Sequence, residues 1–292
     1  MANTGEPIRI GVIGGSGLYS MPQLTEVEEL EVRTPFGMPS DAITVGRLNG
    51  VRVAFLPRHG SGHVYLPSEV PYRANLYALK MLGVREVIGV SACGSLREDY
   101  QPGQIVIPSQ LFDFTKGKRE STFFGQGLAA HVGVEKPFCM DLGAMVADAV
   151  REAGGTVHEG GVFITIEGPR FSTKAESNVF RSWGMSLIGM TTSPEAPLAR
   201  EAEMCYTVMA HVTDYDVWHE TEEAVTVDRV VQTLQGNLEL AQSSIERVVT
   251  RIVEREATCD CERALESAII TDRRKATPEI TERLGLLVDK YL

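Results

Sequence analysis

Cys205-Tyr206-Thr207-Val208-Met209-Ala210-His211-Val212, followed directly by Thr213-Asp214-Tyr215-Asp216, is the stretch on which the fold turns. Its first eight residues are rich in β-branched and aromatic side chains and have the length of a buried strand. Open α/β sheets bind ligands just beyond the carboxyl ends of their strands, which is where the two acids fall. Carboxylates two apart in extended chain point the same way. A buried pair of like charges has to share a proton or meet a donor-rich ligand, and the bland alternative is a solvated acidic turn.

Other strands end in a comparable way. Ile8 to Ile13 forms a first buried strand and runs into Gly14-Gly15-Ser16-Gly17, a turn with free backbone N–H groups and one hydroxyl. No Gly-Lys-Ser/Thr follows, and Ser20 stands where the dinucleotide fingerprint has its third glycine. Ala42–Leu48 and Val51–Leu56 flank Asn49-Gly50, a strong hairpin signal, and the second strand ends at Pro57-Arg58-His59-Gly60. An arginine and a histidine in a glycine-rich loop suit an oxyanion, or else a surface ion pair. Ser68 is placed to cap a helix from about Pro71 to Leu82. A short strand over Val87–Val90 leads to Ser91-Ala92-Cys93-Gly94-Ser95, and two shorter strands follow around Ile105–Ile107 and Leu111–Phe112.

Asp141 suits the cap of a helix ending at Gly154-Gly155. Val162–Ile166 leads into Glu167-Gly168-Pro169-Arg170-Phe171, and Thr173-Lys174-Ala175-Glu176 is a capping box for the next helix. Ser186–Met190 ends in Thr191, and Pro194 suits the first turn of a helix. Apolar spacing from Val227 to Ile252 marks one long amphipathic helix. Strands separated by helices, with one hairpin, predict an α/β single domain with a mixed central β-sheet flanked by helices.

The chain has 292 residues, 43% of them hydrophobic and 23% charged, enough for a sizeable core. A net charge of −11 argues against a nucleic-acid-binding face but permits a small anion in a local pocket. No apolar run is long enough to cross a bilayer, and the N-terminus lacks the basic and apolar regions of a signal peptide. Five cysteines make no disulfide framework, which predicts a cytoplasmic protein. Cys259-Asp260-Cys261 is the one close pair. With no second pair at ligand spacing, no metal is expected, and pairing of Cys139 with Cys205 is undetermined by sequence.

Taken together, Gly14-Gly15-Ser16-Gly17, Pro57-Arg58-His59-Gly60, Ser91-Ala92-Cys93-Gly94-Ser95-Leu96, Thr165-Ile166-Glu167-Gly168-Pro169-Arg170-Phe171-Ser172, Met190-Thr191-Thr192 and Thr213-Asp214-Tyr215-Asp216-Val217-Trp218 form a specific ordered set. With them the chain resembles the trimeric purine nucleoside phosphorylases, in particular the branch acting on 5′-methylthioadenosine, from Ile10 to about the end of the long helix. The resemblance implies a phosphorylase domain over 1–256. A C-terminal extension over 257–292 would pack on that domain or on a neighbouring subunit.

It further implies a homo-oligomer, trimer or dimer of trimers, with no metal or organic cofactor and inorganic phosphate as co-substrate. The activity implied is reversible phosphorolysis of 5′-methylthioadenosine. By the same resemblance Ser16, Arg58, His59, Ser91, Ala92 and Thr191 hold phosphate, Met190 packs on the ribose and Phe171 stacks by the base. Val227 and Val230 line an apolar slot for the methylthio group, and His131 reaches in from a neighbouring subunit. Asp214 would protonate the purine at N7 and Asp216 would accept from its 6-amino group. A 6-oxo purine presents an acceptor there, a mismatch that can cost roughly 10⁴-fold.

Two departures stand out: Gly189 where some relatives have Asn, and Ser16 and Ser91 where Thr is common. Competing readings are a phosphorylase for 5′-methylthioinosine or general purine nucleosides, a dinucleotide-binding oxidoreductase, and a non-catalytic nucleoside sensor.

Overall fold

The computed structural model describes residues 6–219 and 227–292, and the side chains at 16, 19, 227–230 and 234 are not among those described. In chain order the described elements begin with β1 (Ile10–Gly14), β2 (Thr25–Leu30), β3 (Ile43–Leu48), β4 (Val51–Pro57), α1 (Tyr72–Met81) and β5 (Glu86–Ser95). Next come β6 (Ile105–Ile107), β7 (Gln110–Phe114), α2 (Met140–Glu152), β8 (Val157–Glu159), β9 (Val162–Ile166), α3 (Lys174–Ser182) and β10 (Leu187–Gly189). The chain closes with α4 (Thr192–Glu201), β11 (Cys205–Asp214), α5 (Val227–Gly236), α6 (Leu238–Glu254) and α7 (Pro278–Val288).

The strands form one mixed sheet, ordered β2-β3-β4-β1-β5-β10-β9-β7, with β11 joining β5 to β6 and β8. β5 is its hub. Along one side it pairs in parallel with β11 from Glu86↔Cys205 to Gly94↔Asp214. Along the other it pairs with β1 only over Glu86–Gly89, then antiparallel with β10 at Gly94 and Ser95. Between those partners, Val90 to Cys93 has no neighbouring strand on that side among the described residues. The sheet is split there, and backbone groups that a continuous ladder would consume are turned toward the gap.

Local chemistry explains most of the elements. Asn49 and Gly50, both with positive φ (50° and 80°), make the two-residue turn that joins β3 to β4 in antiparallel register. Thr173 and Glu176 complete the predicted capping box of α3.

Several boundaries differ from expectation. The small residues Ser91 to Ser95 belong to β5 itself, because β11 pairs with them and extends the strand. α1 starts at Tyr72 after Pro71 with no side-chain cap, so Ser68 is not its cap. Cys139, not Asp141, occupies the N-cap of α2, and Asp141 lies in the first turn. The long C-terminal helix is two, α5 ending at Gly236 and α6 beginning at Leu238, with Asn237 as the junction between them. β2 was not foreseen: Thr25-Glu26-Val27-Glu28-Glu29-Leu30 is a charged edge strand, exposed along most of its length, and such charge guards a sheet edge.

Residues 257–292 pack into the body of the fold. Leu265, Ile280, Leu284 and Val288 share an apolar cluster with Ile8, Leu79 and Tyr206. The His131 N–H donates to the Ala268 carbonyl (2.8 Å), and buried Glu203 receives Lys290 (2.6 Å) and the Tyr291 hydroxyl (2.6 Å). No described helix is long and apolar enough to cross a membrane.

Candidate active site

A cavity of about 290 Å³ opens at the split in the sheet. Its walls come from the ends of β1 (Gly14, Gly15), β4 (Arg58, His59), β5 (Ser91 to Gly94), β10 (Gly189 to Thr191) and β11 (Thr213, Asp214, Asp216). Of the residues predicted for phosphate, Arg58, His59, Ser91, Ala92 and Thr191 line this one space. Of those predicted for the nucleoside, Phe171, Met190, Asp214 and Asp216 do. The side chains of Ser16, Val227 and Val230 lie outside the described residues. His131 is exposed and is not among the residues that line this cavity.

One end of the cavity carries hydroxyls and one cation, Arg58. Ser91 Oγ and Thr191 Oγ1 lie 3.4 Å apart on facing strands. Arg58 is almost fully committed to the protein. Its Nε–H and Nη2–H donate to Glu195 (2.8 Å each), Nη1 to the Val90 carbonyl (2.9 Å) and Nη2 to the Ile13 carbonyl (3.1 Å). Four of its five N–H groups are thereby used, leaving one for a ligand. Burial works against its charge, but the Glu195 carboxylate more than offsets this and raises its pKa.

His59 is pushed down to about 4, mainly by burial and also by the charge of Arg58, against a hydrogen bond to the Tyr65 carbonyl that favours the charged ring. Its Nδ1 lies 2.8 Å from the Tyr65 carbonyl, which can only accept, so the proton sits there and Nε2 is the acceptor. A neutral His59 therefore suits a P–OH or a sugar hydroxyl better than a bare oxyanion. His63 stacks on it with ring centroids 4.1 Å apart.

The other end holds the acids. The register of β11 against β5 slips between Val212 and Asp214, a bulge that re-aims the chain at the cavity. Beyond it the chain is not extended, which corrects the expectation of two carboxylates aligned by a strand. Asp216 has a φ of 49°, and its N–H donates to Asp214 Oδ1 (2.7 Å), so the acids meet through a side-chain-to-backbone turn. The turn is not solvated: Asp214 is 6% and Asp216 8% exposed. Thr213 Oγ1 donates to Asp214 Oδ2 (2.7 Å).

Asp216 is raised to about 6, chiefly by burial and secondarily by the charge of Asp214, against a nearby Ser177 hydroxyl. Its Oδ2 is buried without a hydrogen-bond partner among the described residues. Gly94 makes the approach of the acids possible: a Cβ there would sit 2.9 Å from Asp214 Oδ1 and 3.2 Å from Asp216 Cβ.

Between the two ends, Ile166, Ile188 and Met190 form an apolar wall, and Phe171, 37% exposed, stands at the rim. A Cβ on Gly189 would meet Phe163 Cζ at 2.6 Å, so Phe163 occupies the space a larger residue would need.

Residues not anticipated from sequence do much of the positioning. Glu195 anchors Arg58 and accepts from the Tyr206 hydroxyl (2.7 Å). Arg119 donates to the carbonyls of Met190 (2.7 Å), Ser193 (2.7 Å) and Glu167 (2.8 Å), tying together the two loops that flank the cavity. Neither stands in a local motif, and only the fold brings them to the site.

A sequence profile of the phosphorylase superfamily matches residues 9–254. The chain belongs to the phosphorylase superfamily. Within this superfamily it is 54% identical over 283 residues to an S-methyl-5′-thioadenosine phosphorylase of Geobacter sulfurreducens, covering 97% of this chain and 99% of that one. It is likewise 54% identical to the same enzyme from Chloroflexus aurantiacus over 97% and 98% of the two chains.

Among solved structures, a methylthioadenosine phosphorylase from an antarctic soil metagenome superposes with a TM-score of 0.93 at 46% identity, covering 97% of this chain and all of that one. The Schistosoma mansoni methylthioadenosine phosphorylase in complex with adenine gives 0.84 at 36% identity over 90% and 99%. The sequence-level resemblance and the α/β fold class are thereby confirmed.

Proposed function

We infer that the protein catalyses reversible phosphorolysis of S-methyl-5′-thioadenosine, giving adenine and S-methyl-5-thio-α-D-ribose 1-phosphate. The observation that carries this is the polarity of one cavity, with hydroxyls and a cation at one end and a buried pair of acids at the other. Phosphate, the co-substrate, binds between Ser91, Ala92, Thr191, the remaining N–H of Arg58, His59 and the Ser16 turn. The purine lies across Phe171, with its N7 and 6-amino edge on Asp214 and Asp216, and the ribose rests on Met190. Val227 and Val230 form the methylthio slot, and His131 serves the site of a neighbouring subunit in a trimer or dimer of trimers.

In the reaction a phosphate oxygen bonds to the anomeric carbon as the bond to N9 breaks, and that electron pair moves into the purine. Alignment and neutralisation of the developing charge supply the catalysis. Burial raises the pKa of Asp216 to about 6. A bound 6-amino group donates to Asp216 and favours its charged form, while Asp214 supplies the proton to N7. Every bond change is accounted for by phosphate and these acids, so no organic cofactor or catalytic metal is invoked. The phosphorylase domain spans 1–256 with 257–292 as an extension packed on it, and the compartment is the cytoplasm.

The test is a nucleoside panel incubated with phosphate and resolved by chromatography. S-methyl-5′-thioadenosine should yield adenine at a kcat/KM well above that for inosine. Rapid hypoxanthine from inosine with no adenine from the thioether would replace this substrate with the 6-oxo class.

A further inference from the structure

The amino-terminal end of β11 is built from thiols. Cys205 opens the strand, Cys139 immediately precedes α2, and Cys259 and Cys261 come from the turn after α6. All four Sγ atoms lie within 4.8 Å of one another, with Cys205 and Cys259 at 3.4 Å. Cys139, Cys205 and Cys261 are buried and Cys259 is partly so.

The backbone that presents them is fixed. Cys139 N–H donates to the Tyr206 carbonyl (2.7 Å), Cys205 N–H to the Arg85 carbonyl (2.8 Å), and Arg263 N–H to the Asp260 carbonyl (3.0 Å). Asp260, at φ/ψ −92°/9°, bends the chain between the two cysteines of the Cys-x-Cys pair.

A zinc ion bound to four thiolates at about 2.3 Å places its sulfurs about 3.8 Å apart at the corners of a tetrahedron. The observed separations, 3.4 Å for Cys205 and Cys259 and none above 4.8 Å, bracket that spacing. A disulfide joins two sulfurs at about 2.05 Å and does not require four to converge. Four soft sulfur ligands with no oxygen or nitrogen donor among them select zinc over magnesium or calcium. The charge is also provided for. Each thiol that ligates releases its proton to solvent, and four thiolates with Zn²⁺ carry two negative charges. Arg255 Nη2 lies 3.2 Å from Cys205 Sγ, and the amino terminus of the 13-residue α2 begins beside Cys139.

We propose that Cys139, Cys205, Cys259 and Cys261 bind one zinc ion in a closed structural site. The site ties the segment beginning at 257, which carries Leu265, Leu284 and Val288 into the core, to the start of β11 and to α2. It lies about 30 Å along β11 from Asp214 at a strand rise of about 3.3 Å per residue, so it takes no part in the chemistry. The one-residue spacing of Cys259 and Cys261 hides it from a search for paired ligand motifs, because its four ligands come from three distant segments.

The test is metal analysis of the full-length protein, reduced, incubated with zinc and desalted. The expected result is one zinc per chain, together with four thiols that become reactive only when a chelator is added. Replacing zinc by cobalt should give the intense visible bands of a tetrahedral thiolate complex. The double variant Cys259→Ser, Cys261→Ser should lose the metal and melt at lower temperature with kcat unchanged. Failure to retain zinc, retention of iron instead, or a non-reduced mass lower by pairs of hydrogens would each overturn the site. The wild-type measurements stand whether or not the variant folds.

Discussion

Asp214 and Cys205 terminate the same strand, β11, whose residues are buried from end to end. At the Asp214 end, polar groups converge on a cavity, and among the described residues Asp216 Oδ2 has no partner and one N–H of Arg58 is unspent. At the Cys205 end, four thiols converge on one another, within 4.8 Å. A buried donor or acceptor without a partner costs about 1–3 kcal/mol, which a bound substrate can return. The contrast teaches where the fold tolerates incomplete bonding and where it closes itself. The split in the sheet beside Val90–Cys93 keeps the first end open.

If the open end works as described, Asp214→Asn should produce the largest effect. Loss of a positioned acid should lower kcat by about 10²–10⁴-fold, with phosphate affinity, read by calorimetry, nearly unchanged. Near-wild-type turnover would remove Asp214 as the proton donor.

Gly94→Ala should come next. Its Cβ, 2.9 Å from Asp214 Oδ1, must displace the acids, and a displacement of about 1 Å can cost about 10²-fold in kcat/KM. The same variant should leave the thiol end unaltered, with an unchanged thiol count.

A smaller effect is expected from pH. Asp216 is ionised above about 6 and protonated below it, and the protonated form carries an O–H that can donate to a 6-oxo group. The kcat/KM ratio of the 6-amino over the 6-oxo thioether substrate should therefore shrink as pH falls through about 6. The ionised fraction drops about tenfold between pH 8 and pH 5, which sets the size of the change. A ratio flat across this range would assign the discrimination elsewhere.

The smallest change should follow Thr173→Ala, which removes the α3 cap. Stability in urea should fall by about 1 kcal/mol, with kcat essentially unchanged.

How much of this was legible in sequence follows the same division. The Asn49-Gly50 turn, the Thr173 capping box and the Arg58-His59 loop after β4 are local signals, and each is where it was expected. The length of β5 was not legible, because Ser91 to Ser95 are small and hydroxylated and are strand only through pairing with β11. The acid pair was legible as a pair but not in its geometry: the bulge before Asp214 and the left-handed Asp216 depend on Gly94 across the sheet. Glu195 and Arg119 were invisible, since nothing near them in the chain names their partners. The thiol cluster was hidden for the same reason, its members being supplied by α2, β11 and the segment after α6.

The central claim is that one cavity holds phosphate and purine together, and it is tested by phosphorus NMR during turnover of S-methyl-5′-thioadenosine. One sugar-phosphate ester should appear for each adenine released, and adenine release should stop when phosphate is omitted. Adenine formed at the same rate without phosphate, alongside free methylthioribose, would contradict the account.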